Sequence, residues 1–357
     1  MIRDRLVCLD LSLDRLAAVE VADGQVVRWT VQPLTAGSLR GGDPVDRDQL
    51  ASELRSALAQ ARIGAKKARI AISDDAAVVR VIDIPRIPKR HMAGAIRYLS
   101  EQETPFPQGR ASLAWDIVER RQNAVRLYLA AAWRDVVHRL ADVVRAAGLD
   151  PQVIEPRSLA IIRAVGQEQA IVLDAGEAVA RLTYVSRTET PFTDQVPVLG
   201  DGEWVAANVM LGRALRGHRG EAPPVLLAGG LEASASSPES ALLGVSATPA
   251  SSVLNGHGPV RRAGMPGGAL LAPLGLAIRG AHRAGGAKYP QVNLLLGGDA
   301  ARQRGSTDAE ASSVVVSRPR RRLFIAAAVA GMVAIWSVVG VGVASLLGGL
   351  PHLPMGP

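Results

Sequence analysis

"LVCLDLSLDRLAAVEVADGQVVR", residues 6–28, and "AIVLDAGEAVARLTYVSRTETPF", residues 170–192, decide the fold when one is laid above the other. Each opens on an apolar run, reaches a Leu-Asp pair, breaks at a short turn and goes on in strand-like alternation. A short apolar run bounded by turn residues reads as a buried strand, and period-two alternation as a half-buried one. In the first unit Asp23-Gly24 separates "RLAAVEV" from "QVVRWTV", the signature of a two-residue hairpin turn. A lone aspartate ending a strand is a turn former. Two of them, Asp10 and Asp174, at the same place in like units about 160 residues apart, indicate an internal duplication. The expectation is two α/β halves facing each other across a cleft, with both carboxylates pointing into it. Carboxylates aimed at one small volume repel each other unless a cation lies between them. Mg2+ held through waters beside phosphates meets that need. Each turn would offer N–H groups to phosphate oxygens, and glycine lets the backbone come close. Gly176 supplies it in the second unit, while the first has Ser12, whose hydroxyl can still donate. A third piece, "PPVLLAGGLEAS", ends an apolar strand on Gly229-Gly230, a pair that lets a flat base or sugar lie against the main chain.

Around these units strand and helix signals alternate to about residue 285. "DRDQLASELRSALAQARI" sets Leu50, Leu54 and Leu58 on one helical face. "PKRHMAGAIRYLSEQE" reads as a helix opened by Pro88, "SLAWDIVERRQNAVRLYLAAAW" as a hairpin, and "RDVVHRLADVVRAAGLDP" as a helix ended by Gly148 and Pro151. "EWVAANVMLGRALRG" is a further helix. Residues 231–268 are rich in Ser, Pro, Gly and Ala and read as loop, and residues 286–322 as a linker. That linker holds an apolar island, Val292 to Leu296, with glycine on either side.

Composition narrows the function. A chain of 357 residues with 48% hydrophobic content can build one large or two ordinary cores. Aromatics at 3% leave no stacking platform for single-stranded nucleic acid, and the net charge of +8 comes with no recognition motif, so no specific nucleic acid is expected. The single cysteine, Cys8, sits in an apolar run as a buried thiol and excludes a disulfide framework or a CxxC zinc site. The six histidines, among them His91, His138 and His218, have no metal-binding spacing, and neither a P-loop nor a GxSxG elbow occurs. "LFIAAAVAGMVAIWSVVGVGVASLL", residues 323–347, carries no charge. At about 1.5 Å per residue it exceeds the hydrocarbon core of about 30 Å and reads as a transmembrane helix. Arg318, Arg320, Arg321 and Arg322 precede it, so the positive-inside rule puts residues 1–322 in the cytoplasm and a short tail, 348–357, outside.

These residues resemble the actin-like ATPase superfamily, with two phosphate motifs at the strand–turn units and an adenosine motif at the glycine pair. More narrowly, "AIRYLSEQETPFPQGRASLAWDIV", "LYLAAAWRDVVHRLADVVRAAGLDPQVIEPRSLAIIRAV", "VLDAG", "LLAGGLEAS" and "APLGLAIRG" resemble the PilM family of type IV pilus assembly proteins, over roughly residues 5–281. The resemblance implies duplicated ribonuclease H-like halves, with a small α+β subdomain inserted at about 78–155, in a cytoplasmic domain of residues 1–285. It implies ATP with Mg2+ in the cleft, on Asp10, Ser12, Asp174, Gly176, Gly229 and Gly230. It also implies an adaptor between the pilus motor ATPase and the PilN and PilO-like proteins of the bacterial inner membrane, with ATP bound and hydrolysed weakly if at all. No residue stands out to orient an attacking water, and none is assigned as catalytic. In the family PilM binds an Ile-Asn-Leu-Leu-Pro peptide that precedes the transmembrane helix of PilN. Here "VNLL", Val292, Asn293, Leu294 and Leu295, precedes a span in the same chain, with Leu296 in place of the proline. The resemblance therefore suggests a fusion of a PilM-like domain to the peptide and span of a PilN-like protein. The peptide would bury its apolar side chains and bond Asn293 to backbone, on its own domain or on a neighbour's. Two other readings share parts of this architecture: a protein L-like adaptor of type II secretion, and an actin-fold kinase or ATPase.

Overall fold

The computed structural model describes residues 5–11, 14–107, 109–176, 179–198, 202–216, 222–233, 245–253, 265–266, 268–279 and 289–299. Ser12, the arginines at 318 and 320–322, and the expected span at 323–347 lie outside the described residues. Among those described, no helix is long and apolar enough to cross a membrane.

The first unit folds as β1 (Arg5–Leu11), β2 (Arg15–Ala22) and β3 (Gln25–Pro33), joined antiparallel. Asp23 and Gly24 both take positive φ, as a tight turn between twisted strands requires. A short ribbon, β4 (Leu39–Arg40) and β5 (Asp43–Pro44), leads to helix α1 (Arg47–Gln60). Asp46 caps that helix by accepting from the N–H groups of Asp48 and Gln49 at 2.9 Å each, and Leu50, Leu54 and Leu58 are buried beneath it. The helix is the crossover that lets β6 (Lys67–Ile72) run parallel to β1.

The chain then leaves this sheet for a small antiparallel one. β7 (Ala77–Pro85), helix α2 (Lys89–Glu103), β8 (Ala111–Arg120) and β9 (Ala124–Trp133) form it, with strand order β7-β9-β8. Met92 and Ile96 of α2 share a core with Ile84, Leu127 and Leu129. The strands and helix of this sheet run from Ala77 to Trp133, where the sequence suggested an insert at about 78–155. Helix α3 (Arg134–Ala146) returns to pack on α1, and β10 (Asp150–Pro156) pairs parallel with β6 at the edge of the first sheet. Gly148, at φ +85°, makes the turn between them.

Helix α4 (Arg157–Val165) follows, and all nine of its residues are buried. The second unit then repeats the first: β11 (Gln169–Ala175), β12 (Val179–Ser186) and β13 (Phe192–Pro197) are antiparallel. Helix α5 (Glu203–Arg216) crosses over to β14 (Val225–Gly229), which is parallel to β11. Helix α6 (Gly230–Ala233), β15 (Ala247–Pro249), helix α7 (Ala250–Val253), a 3-10 turn at Gly268–Leu270 and helix α8 (Leu271–Ala277) complete the half. The two five-stranded sheets have the same order and sense, β10-β6-β1-β2-β3 and β15-β14-β11-β12-β13. The duplication read from the sequence is thus a duplication of topology.

Two helices join the halves. α4 comes out of the first sheet and packs on β12 of the second, while α8 comes after the second sheet and packs on β1, β2 and β6 of the first. Where they cross, Gly275 lies so close to Ala160 that a Cβ on it would fall well inside contact distance of the Ala160 carbonyl oxygen.

Candidate functional site

β1 and β11 each place their aspartate one residue before the strand ends, which brings the two carboxylates to the seam between the halves. Both are nearly dry: Asp10 is 1% and Asp174 5% exposed. The cation between them is a side chain. Arg157, the first residue of α4 and 4% exposed, donates from Nε to Asp10 Oδ2 at 2.9 Å and from Nη2 to Asp174 Oδ2 at 3.3 Å. Arg15, which opens β2, donates a second guanidinium to the same Asp174 oxygen. Burial pushes the Asp174 carboxyl up, but Arg15 and then Arg157 outweigh it and hold the group below the usual carboxylate range. Burial also opposes the charge on Arg157, and Asp10 and Asp174 reverse that, so its pKa is raised. Asp74 steadies the start of α4 by accepting from the Ser158 N–H at 3.1 Å and from its hydroxyl at 2.7 Å.

Arg181 of β12 is paired directly opposite Asp174, so it shares that face of the sheet. It is 7% exposed and makes no hydrogen bond or ion pair among the described residues. Burial, and after it the nearby Arg157, lower its pKa. Asp10 Oδ1 and Asp174 Oδ1 are likewise buried without a partner.

The glycines sit where the chain leaves no room for a side chain, Gly229 against its neighbouring strand and Gly176 against the other half. Gly229 has φ +60°, and a Cβ there would lie 2.5 Å from both the Ala175 carbonyl and Asp174 Oδ1. A Cβ on Gly176 would meet the carboxylate of Asp14, which reaches over from the first half. Gly230 begins the four-residue α6. Asp10, Asp174, Gly176 and Gly229 are therefore brought together. The place expected for Mg2+, however, is filled by the guanidinium of Arg157. Among the described residues no three His, Cys, Asp or Glu side chains converge as a metal site. The described side chains do not fit a divalent ion bridged between Asp10 and Asp174. Beside them, the donors of Arg181 are taken by no described residue.

The second expected site, residues 292–296, lies on the outer edge of the first sheet. β10 is an edge strand, so some of its N–H and C=O groups have no strand to pair with. Asn293 takes them: its Oδ1 accepts from the Ile154 N–H at 3.1 Å and its Nδ2 donates to the Gln152 carbonyl at 3.0 Å. Val292 and Leu294 are buried in the main core, Leu295 packs partly against it, and Leu296 is 53% exposed. Two buried arginines grip the peptide main chain. Arg163 Nη2 donates to the Pro290 carbonyl at 3.2 Å and Arg279 Nη1 to the Val292 carbonyl at 2.8 Å, and both arginines pair with the fully buried Glu155. Asp116 accepts from the Gln291 N–H at 2.9 Å. Leu294–Asp299 then turns as a 3-10 helix.

Sequence reasoning missed the arginines. Arg157 and Arg163 carry a signal, two charges in the otherwise apolar "PRSLAIIRAV", and charges in such a segment need buried partners. Arg181 could have been found by pairing "VLDAG" with "VARLTYV" across the turn, which sets it opposite Asp174. Arg15 offers no signal, since a charged residue opening a strand after a turn is ordinary.

The sequence matches the family model of type IV pilus assembly protein PilM over residues 9–193, just over half of the chain. No curated protein matches it. Among solved structures, a PilM-PilN type IV pilus biogenesis complex superposes with a TM-score of 0.61 at 22% identity, over 78% of this chain and 99% of that one. The cytoplasmic domain of EpsL, an inner-membrane component of the type II secretion system of Vibrio cholerae, gives 0.42 at 13% identity over 63% and 82%. The ethanolamine utilization protein EutJ from Carboxydothermus hydrogenoformans gives 0.46 at 15% over 78% and 90%. With the duplicated sheets and a family match that runs from the first aspartate strand past the second, this chain belongs to the type IV pilus assembly protein PilM family.

Proposed function

We propose that this chain is a membrane-anchored, nucleotide-binding adaptor of a type IV pilus assembly machine, tying the cytoplasmic motor to the inner-membrane complex. The observation that carries the reading is the seat on β10. An edge strand bonded by one asparagine, two pockets for Val292 and Leu294, and two arginines on main-chain carbonyls make a receptor for an extended peptide. The peptide seated there is the chain's own, of the form Val-Asn-Leu-Leu. In this reading residues 292–295 do in cis what the peptide of a PilN-like partner does in trans, and the fused span at 323–347 anchors the domain to the bacterial inner membrane. Tethering gives the peptide an effective concentration on the order of millimolar, so a modest intrinsic affinity keeps the seat filled. A peptide that close can also reach a neighbouring copy, or yield to a PilN-like partner. At the cleft, Gly176, Gly229, Arg15, Arg157 and Arg181 are the described residues that would line a bound nucleotide. Bound ATP would fix how the two halves close and so how partners dock.

The test is fluorescence polarisation with a labelled peptide of residues 289–299. The full chain carrying Asn293→Ala and Leu294→Ala, whose own segment no longer competes, should bind it saturably in the micromolar range. The wild type should bind it far more weakly, and the peptide carrying the same two substitutions should not bind. Absence of saturable binding to the variant removes the receptor reading.

A further inference from the structure

Three guanidiniums, Arg15, Arg157 and Arg181, cluster with two carboxylates, Asp10 and Asp174, at the seam between the halves. Arg15 and Arg157 are engaged with the carboxylates. Arg181 is not, although it is nine-tenths buried. A guanidinium carries five N–H donors. Those of Arg181 are bonded to no described residue and are not sealed from water, so an anion can reach them. A divalent metal bound directly between the aspartates would have to evict Arg157, a buried side chain that opens a wholly buried helix. Eviction would leave a third cation without its acids, beside an Arg181 already short of one.

We propose that this cleft takes phosphate groups on arginine instead of on Mg2+. Arg157 stands where a metal would bridge Asp10 and Asp174, and Arg181 receives the phosphate oxygens. The inference rests on the nucleotide reading above and sharpens it: the ligand is a metal-free phosphate chain, as in ATP or inorganic tripolyphosphate. Guanidinium suits this task, because its planar fork meets two phosphate oxygens at once and its charge does not titrate. Asp14, whose carboxylate lies against Gly176, is the acid such a chain must pass, so its repulsion limits the affinity.

The test uses the full chain in detergent, with ATP and tripolyphosphate titrated by calorimetry in EDTA and again in excess Mg2+. The expected result is binding of both ligands in EDTA at least as tight as in Mg2+. Arg181→Gln should weaken it roughly tenfold or more, the loss of a charge-assisted contact. Asp14→Asn should tighten it several-fold, an arm that survives even if Arg181→Gln misfolds. ATP binding that appears only with Mg2+ overturns the arginine assignment and leaves the nucleotide reading standing. No binding of either ligand under either condition overturns both.

Discussion

Replacing Arg157 with methionine keeps the length of the side chain and removes its charge. Asp10 then loses the ion pair that Arg157 supplies at 2.9 Å and keeps no other among the described residues, while its Oδ1 is already without a partner and the residue is 1% exposed. Asp174 retains Arg15. Removing one member of a buried pair strands the other, at a cost of about 3–5 kcal/mol. Adding Asp10→Asn removes the stranded charge, so the double variant should regain roughly half or more of that loss. Urea unfolding of the full chain followed by tryptophan fluorescence measures this, with Trp29 in the first half and Trp204 in the second reporting both. A deficit below about 1 kcal/mol, or no recovery in the double variant, would refute the idea that Arg157 holds the two acids together.

Gly275→Ala should cost about 3 kcal/mol in a thermal melt, because a Cβ there drives α8 off the Ala160 carbonyl, and this outweighs the gain in helix propensity of about 1 kcal/mol. Gly229→Ala combines a strained φ of +60° with contacts at 2.5 Å, and loss of the fold by circular dichroism at 37 °C is the expected outcome. Asn293→Ala leaves the Ile154 N–H and the Gln152 carbonyl without a partner, a local loss of about 1–3 kcal/mol. Hydrogen exchange should rise at β10 and residues 289–299, while the core of the second half stays protected. The wild type should lose stability in acid in a stated window. The Asp174 contribution is complete above its unfolded pKa of about 3.9 and disappears as the pH falls through its lower folded value, which acid titration of Asp174→Asn against wild type will resolve.

The parts of this fold that announce themselves in the sequence are local. Asp23-Gly24 sets its own turn, Leu50, Leu54 and Leu58 show their helix by spacing, and the two Leu-Asp strands declare the duplication. β10 stayed hidden because "DPQVIEP" carries two prolines, which argue against a strand except at a sheet edge, where β10 lies. α4 stayed hidden because a helix buried on every side has no polar face to mark its period. At the cleft, the aspartates were legible as a pair and their arginines were not. Repulsion between two acids calls for a positive charge without saying which, and only the folded chain brings Arg157 to Asp10 across 147 positions.

The exchange of α4 and α8 between the halves bears on how the protein is made. The face of β1, β2 and β6 that α8 covers is complete once β6 has left the ribosome, yet its cover, Leu271–Ala277, is translated some two hundred residues later. At about 5–20 residues per second the nascent chain carries that bare apolar face for ten seconds or more. Neither half can be finished alone, so the domain must ripen in one late step, and its first half is a natural client for a chaperone that holds growing chains.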